Sequence, residues 1–140
     1  MSNSLQELRM SFDIFIFTYR NGEGHYYPRA LLENAFDGLV DRSDRTWWKL
    51  IDHGARISVP DDPKISGFSV NRPPTKDHPF WPAPIDVLRK TPSVLFWPGK
   101  GGVVAHECVI GHSPSDLVAA IGLPTVTTDI EVIFDLIREA

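Results

Sequence analysis

A stretch near the start of the chain has no polar face. Four large apolar residues follow one another from Ile14 to Phe17. Successive side chains of a β-strand point to opposite faces of the sheet, so this run places apolar groups on both faces. The aromatic and β-branched residues of segment 12–19 favour a strand. We therefore predict a strand that is buried on both sides, central in its sheet, and ended by the turn-rich loop 20–24.

Prolines restrict the middle of the chain. Seven of the 12 prolines lie between Pro60 and Pro84. Proline lacks a backbone N–H and fixes φ, so this segment is unsuited to a central strand or a long helix. A short helix over 83–91 is predicted at its end, because Pro92 disfavours helical backbone in the residue before it.

The remaining helices and strands are predicted from the spacing of apolar residues and from the residue types that start and end helices. A helix is predicted from Pro28, at its first position, to Gly38. Strands are predicted over 46–51, 55–59, 64–71 (with a bulge at Gly67), 93–97 and 103–108. The first two are predicted to form a hairpin, and so are the last two. Ser113 is predicted to cap a helix that ends at Gly122. Segment 124–127 is predicted to be extended. Thr128 and Glu131 are predicted to form the capping box of a last helix.

The predicted order is β-α-β-β-β-α-β-β-α-α. Strands cluster in hairpins and do not alternate with helices, which indicates an α+β fold with a mainly antiparallel sheet and helices packed against it. A chain of 140 residues fits one domain. We predict that this domain spans 10–140 and that residues 1–9 form a disordered or loosely ordered leader, with Met10 as an alternative start.

Composition excludes several classes of protein. Cys108 is the only cysteine, so the chain has no intramolecular disulfide and no four-cysteine metal site. The longest apolar runs are far shorter than the roughly 20 residues of a membrane-spanning helix. The N-terminal residues lack a secretory signal pattern, which leads us to expect a cytoplasmic protein without a membrane partner.

Charge is unevenly distributed. The net charge is −4. Residues 1–100 are near neutral, whereas residues 101–140 hold six acids and one base. Basic residues are scattered, and the richest local set, Arg42, Arg45 and Lys49, alternates with acids. A nucleic-acid partner is therefore not expected. An acidic surface that includes Asp135 and Glu139 is a candidate contact for a basic protein.

A cluster of reactive residue types lies late in the chain. His106, Glu107, Cys108 and His112 include types that bind metals or act in catalysis. Their spacing matches no established helical zinc motif. If the segment is a strand, His106 and Cys108 share one face. A small enzyme or a metal-binding protein that uses these four residues, with His106, Cys108 and His112 as candidate metal ligands, is one hypothesis. A buried, inert cysteine beside solvated neighbours is the other.

Aromatic residues are candidate partner contacts. Tyr26, Tyr27 and Arg29 precede the first predicted helix, and tyrosine and arginine are types that carry interface energy. Trp47 and Trp48 are adjacent in a predicted strand, so their indoles point to opposite faces. One is predicted to be core. The other is covered by Trp81 or exposed to a partner, and we take Trp48 and Trp81 as the candidates.

Four segments carry a resemblance to a family. They are Ser11-Phe12-Asp13-Ile14-Phe15, Arg20-Asn21-Gly22-Glu23, Pro28-Arg29-Ala30-Leu31 and Phe96-Trp97-Pro98. Together they resemble a group of small uncharacterised bacterial proteins. The resemblance implies a small bacterial cytoplasmic protein and carries over no catalytic or binding residue. By general type, such compact acidic proteins are similar to the immunity partners of polymorphic toxins.

These observations lead to one main expectation and two alternatives. The main expectation is a non-catalytic protein-binding module without a cofactor, of immunity-like type, with an acidic C-terminal surface. The first alternative is a small enzyme or metal-binding protein that uses the His106–His112 cluster. The second is a homodimeric structural protein formed through an edge strand or an exposed tryptophan.

Overall fold

The computed structural model describes residues 12–139, except for the side chain of Glu139. The predicted leader, residues 1–9, and the alternative start at Met10 lie outside the described residues. The strands are β1 (Ile14–Arg20), β2 (Glu23–Gly24), β3 (Tyr27–Pro28), β4 (Val40–Asp41), β5 (Trp47–Leu50), β6 (Arg56–Ser58), β7 (Lys64–Ile65), β8 (Gly67–Asn71), β9 (Ser93–Phe96), β10 (Gly102–Val104) and β11 (Thr125–Val126). The helices are α1 (Arg29–Ala35), α2 (Pro82–Lys90), α3 (Ser115–Ile121) and α4 (Ile130–Glu139), with a 3₁₀ helix over Glu107–His112.

One large sheet organises this single α+β domain, as the sequence predicted. Its strands run in the order β11-β10-β9-β1-β8-β6-β5-β4, and β2 adds a short hairpin to β1. All pairs are antiparallel except β10 with β11. The strands β3 and β7 form a separate two-stranded ribbon. Strand β1 therefore lies centrally between β8 and β9, which confirms the central position predicted from its apolar run.

The two faces of β1 are unequally buried. Ile14 and Ile16 are completely inaccessible, whereas Phe15 and Phe17 are half-buried. The prediction that the strand is buried on both sides is therefore wrong for the second face, which is only half-buried. The reason is that the first face is covered by α1, α2 and α4 along the sheet. On the second face a smaller cluster, built with the 3₁₀ helix and α3, contains residues of β9 and β10 and reaches β1 at Tyr19.

The predicted hairpins and helices occur with small shifts. The β5–β6 hairpin, the α2 helix, the extended segment at β11 and the stop of α3 at Gly122 are confirmed. The predicted bulge at Gly67 corresponds to a break between β7 and β8 at Ser66. Pro28 lies one residue before α1, because it pairs with Lys64 in the β3–β7 ribbon.

The strand predicted to reach Cys108 is wrong. Strand β10 ends at Val104, which faces Val94 of β9. Its partner strand begins just after Pro92, so no ladder continues beyond that point. The chain turns instead into the 3₁₀ helix, and His106 and Cys108 do not share a strand face.

Both predicted side-chain caps are also wrong. The Ser113 hydroxyl donates to the Val109 carbonyl at 3.0 Å and so closes the 3₁₀ helix instead of capping α3. At α4 the cap is Asp129, whose carboxylate accepts from the Glu131 backbone N–H at 2.9 Å. The Glu131 side chain bonds Lys76 and is thus not available for a capping box with Thr128. No helix among the described residues has the length and apolar character to cross a membrane.

A first test concerns Gly67, where β8 approaches β1. A Cβ added there would lie 2.3 Å from the Ile16 carbonyl oxygen and 2.8 Å from the Phe17 Cα. Backbone atoms cannot yield as a flexible side chain does, so Gly67→Ala should lower the free energy of unfolding by about 2 kcal/mol or more. Gly24→Ala, which meets nothing within 4 Å, should change it by less than about 0.5 kcal/mol. Urea unfolding measures both, and equal effects would contradict the close approach.

A second test concerns the Tyr27 hydroxyl, which is buried and has no hydrogen-bond partner among the described residues. Burial raises the pKa of Tyr27, so the hydroxyl is neutral at pH 7. Because an unpartnered buried hydroxyl is costly, Tyr27→Phe should leave stability unchanged or raise it by about 1 kcal/mol. The matched variant Thr18→Val, which removes a hydroxyl bonded to Ser93 at 2.6 Å, should lower it by about 1 kcal/mol. A destabilising Tyr27→Phe would show that the hydroxyl has a partner.

Candidate functional site: an arginine pocket

Three arginines surround one tryptophan at the β5 end of the sheet. The pocket has a volume of about 430 Å³. It is lined by Arg29, Glu33, Arg42, Arg45 and Trp48. We refer to these five residues as the arginine pocket. Helix α1 contributes the first two, the loop between β4 and β5 the next two, and β5 the last.

Trp48 forms the apolar base of the pocket. It lies on the covered face of the sheet, where Phe36, the residue that follows α1, packs edge-on at 6.3 Å between ring centroids. The guanidinium carbons of Arg29 and Arg42 lie 5.3 and 5.8 Å from the centroid of the Trp48 ring. Both cations therefore fall within the range of cation–π attraction. Because these groups lie over the indole, Trp48 is fully buried although it lines a pocket.

Arg29 joins three parts of the chain. Its Nε donates to the Pro60 carbonyl at 3.2 Å, and one terminal nitrogen bonds Glu33 at 2.9 Å. The other terminal nitrogen donates to the Arg45 carbonyl. Only 13% of the Arg29 side chain is exposed. The guanidinium is thus held in one position before any ligand arrives.

The loop that carries Arg42 and Arg45 is shaped by two aspartates. Asp41 accepts from the Ser43 backbone N–H at 2.9 Å, and Asp44 accepts from those of Thr46 and Trp47 at 2.9 and 3.1 Å. These hydrogen bonds favour the ionised carboxylates and lower the pKa of each aspartate. Since both pKa values are lowered by folding, this contribution to stability is present at neutral pH and is lost as pH falls through them.

Arg42 differs from its neighbours in having no acidic partner. Arg29 pairs with Glu33, and Arg45 pairs with Asp61 at 2.8 Å. Among the residues that the structure describes, Arg42 forms no ion pair, and its guanidinium group lies over the Trp48 ring. Two of the three guanidinium groups are thus ion-paired, Arg29 with Glu33 inside the pocket and Arg45 with Asp61 beside it, and Arg42 is left without such a pair among the described residues.

A second hollow lies on the same side of the molecule as the helices. We call it the proline groove, and it has a volume of about 420 Å³. It is lined by Lys76, Asp77, His78, Pro79, Trp81, Pro82, Ile85, Arg89, Thr128 and Ile130. Its walls are therefore the proline-rich segment, α2 and the start of α4, and it shares no residue with the arginine pocket.

The structure distributes the predicted partner residues over several places. Arg29 and Trp48 meet in the arginine pocket, and Trp81 lines the proline groove. Tyr26 is 61% exposed, whereas Tyr27 is buried. Asp135 is paired with Arg138. The side chain of Glu139 lies outside the described residues.

The sequence predicts Trp48 and Trp81 as candidate exposed contacts for a partner, and this prediction is wrong. The exposed indole is that of Trp47. Trp47 is 44% exposed, whereas the other two are completely or almost completely buried. The alternation of β5 predicted that one of the adjacent indoles would be core, but not which one. Trp81 packs on Phe80 and Phe134 within the core and so does not cover Trp47.

The late histidine cluster is not assembled as a single site. His106 Nε2 contacts the Arg89 carbonyl at 2.8 Å, and His112 Nδ1 accepts from the Asn21 backbone N–H at 3.1 Å. Cys108 is exposed. Over residues 12–139, no group of three or more histidine, cysteine, aspartate or glutamate side chains is placed to hold a metal ion.

Sequence reasoning missed Arg42 as a site residue. The sequence shows the basic set Arg42, Arg45 and Lys49, but the acids that alternate with it indicate a surface whose charges are balanced. The structure shows that Asp41 and Asp44 bond backbone N–H groups of the loop. The useful signal was therefore the spacing of the two aspartates, each two residues before an N–H that it binds.

A third test separates the structural arginine from the available one. Arg29→Ala should lower the free energy of unfolding by about 2 kcal/mol, because it removes charged hydrogen bonds to two backbone carbonyls. Arg42→Ala should lower it by only about 0.5 kcal/mol, the scale of an exposed cation–π contact. Urea unfolding of both variants measures the difference. Equal losses would contradict the assignment of Arg42 as a side chain that the fold does not need.

Comparisons with known proteins give this chain no relative: no family model, no curated protein and no solved structure matches it.

Proposed function

We propose that this protein is a non-catalytic binding module that holds a protein partner by an acidic side chain seated in the arginine pocket. The observation that carries the proposal is Arg42, a cation stacked on Trp48 without an ion pair among the described residues. A guanidinium group offers parallel N–H donors that match the two oxygens of a carboxylate. The proposal agrees with the protein-binding module predicted from the sequence. It places the contact at the arginine pocket and not at the acidic C-terminal surface.

Preorganisation supports this choice of site. Arg29 is fixed by three hydrogen bonds, and Asp41 and Asp44 shape the loop that carries Arg42. A ligand that binds to groups already in place loses less free energy to ordering them. The buried indole beneath the cations also keeps water from one side, which strengthens their attraction for an anion.

The ion pairs at the site favour a carboxylate over a phosphate. Glu33 and Asp61 already neutralise two of the three arginines. The remaining single positive charge matches one carboxylate, whereas a phosphate monoester carries close to two negative charges at pH 7. We therefore infer that the partner presents an aspartate or glutamate side chain.

The immunity-like hypothesis, with an acidic C-terminal surface against a basic partner, stays a prediction. The structure gives it limited support, because Asp135 pairs with Arg138 and Glu131 pairs with Lys76. The homodimer and the cytoplasmic location also stay predictions. The enzyme or metal hypothesis has no assembled cluster among the described residues on which to rest.

A fourth test uses a blocked tetrapeptide with one glutamate among three alanines, because the proposal calls for a single carboxylate. We expect it to shift the side-chain Nε–H signals of Arg29 and Arg42 and the indole N–H of Trp48 in ¹H–¹⁵N NMR spectra. Because the attraction is electrostatic and partly exposed, raising the salt concentration should weaken binding. The variant Arg42→Glu should reduce the affinity at least about tenfold.

The matched control is Arg72→Glu, which changes an exposed arginine outside the pocket by the same charge. It should leave the affinity within about twofold of the original, apart from the long-range effect of net charge. Equal weakening by both substitutions would show a diffuse charge effect and would contradict the site. The absence of shifts at Arg42 and Trp48 would contradict it as well.

A further inference from the structure

The proline groove combines an apolar base with a small number of polar groups. Trp81, Ile85 and Ile130 lie on three different parts of its wall. Its volume of about 420 Å³ falls in the range of small-ligand sites. Sites of this kind typically surround an apolar body and orient it with one or two charged or polar side chains.

The walls of the groove are fixed by local hydrogen bonds. The Trp81 indole N–H lies 3.1 Å from both the Pro74 and the Thr75 carbonyl oxygens, so it is shared between two acceptors. His78 Nδ1 accepts from the Phe80 backbone N–H at 3.1 Å. Pro79 and Pro82 fix their own φ angles on either side of this turn. The groove is thus formed without a ligand.

The two cations at the groove differ in their partners. Lys76 bonds Glu131 at 2.7 Å, and this contact raises the pKa of Lys76. Asp77, which also lines the groove, adds a second negative charge near that lysine. Arg89 contacts the Thr128 hydroxyl at 3.3 Å and forms no ion pair within the part of the chain that the structure describes. Arg89 is therefore the cation with charge left for a ligand.

We propose that the proline groove is a binding site for a small apolar carboxylate. The hydrocarbon or aromatic body of the ligand packs against Trp81, Ile85 and Ile130, and its carboxylate pairs with Arg89. The volume selects a small molecule, and the charge on Arg89 selects an acid. This site is independent of the proposed function, because the groove and the arginine pocket have no residue in common.

The test compares two probes of nearly the same shape, 3-phenylpropanoate and its neutral amide, 3-phenylpropanamide. NMR titration should shift the Trp81 indole N–H and the Ile85 methyl signals. We expect the acid to bind with a dissociation constant of about 1 mM or below. The amide should bind about tenfold more weakly, because it cannot form the charge-assisted pair with Arg89.

Two variants locate the charge. Arg89→Gln should reduce the affinity for the acid to that for the amide and leave the amide unchanged. Lys90→Gln is the matched control. Lys90 is the next cation along α2, but it pairs with Asp86 at 2.9 Å and does not line the groove. It should leave both affinities unchanged. Equal affinities of the two probes, no effect of Arg89→Gln, or no shift of Trp81 and Ile85 up to about 10 mM ligand would each overturn the proposal.

Discussion

The close pairing of β1 with β8 at Gly67 is the constraint on which the rest of the molecule depends. The absence of a side chain there lets the backbone of β8 approach Ile16 and Phe17 of the central strand. From β8 the sheet continues through β6 to β5, which carries Trp48. On the other side, β1 pairs with β9, the strand that directly follows α2. Both cavities are thus supported by elements that β1 holds in register.

The segment between β8 and α2 forms one wall of the proline groove. Between β8 and α2 the chain crosses the helix-covered side without regular hydrogen bonding, and Trp81 anchors the crossing in the core. Its indole meets Phe80 at 5.0 Å and Phe134 of α4 at 5.1 Å between ring centroids, both edge-on. Such aromatic pairs add to the free energy of burial. Pro79 of this crossing and Pro82, the first residue of α2, line the groove.

Much of the fold could be predicted because local signals and tertiary packing agree. The apolar run at Ile14 identifies a central strand, and the Gly122 stop and the hairpin at Gly54 depend only on local chemistry. The errors arise where a distant partner decides. Thr128 and Glu131 satisfy a capping pattern, but Lys76, 55 residues away, takes the glutamate. Strand β10 ends early because β9 offers no further partner beyond Ser93.

The candidate sites were less predictable than the fold for a related reason. A binding pocket is defined by side chains from several elements, and no short motif marks their meeting. The sequence marks Arg29 and Trp48 as separate candidate contacts for a partner, and only the packing of α1 on β5 brings them together. The availability of Arg42 could not be predicted, because the acids beside it in the sequence look like its ion-pair partners. In the structure those acids bind backbone N–H groups instead.

Native-state hydrogen exchange of the backbone amides tests the central position of β1 most directly. The amides of β1 that bond β8 and β9 should be the slowest to exchange in the chain, because only global unfolding exposes them. Those of the two-residue edge strands β4 and β11 should exchange at least about a hundredfold faster, by local fraying. Exchange in β1 as fast as in these edge strands would contradict the account.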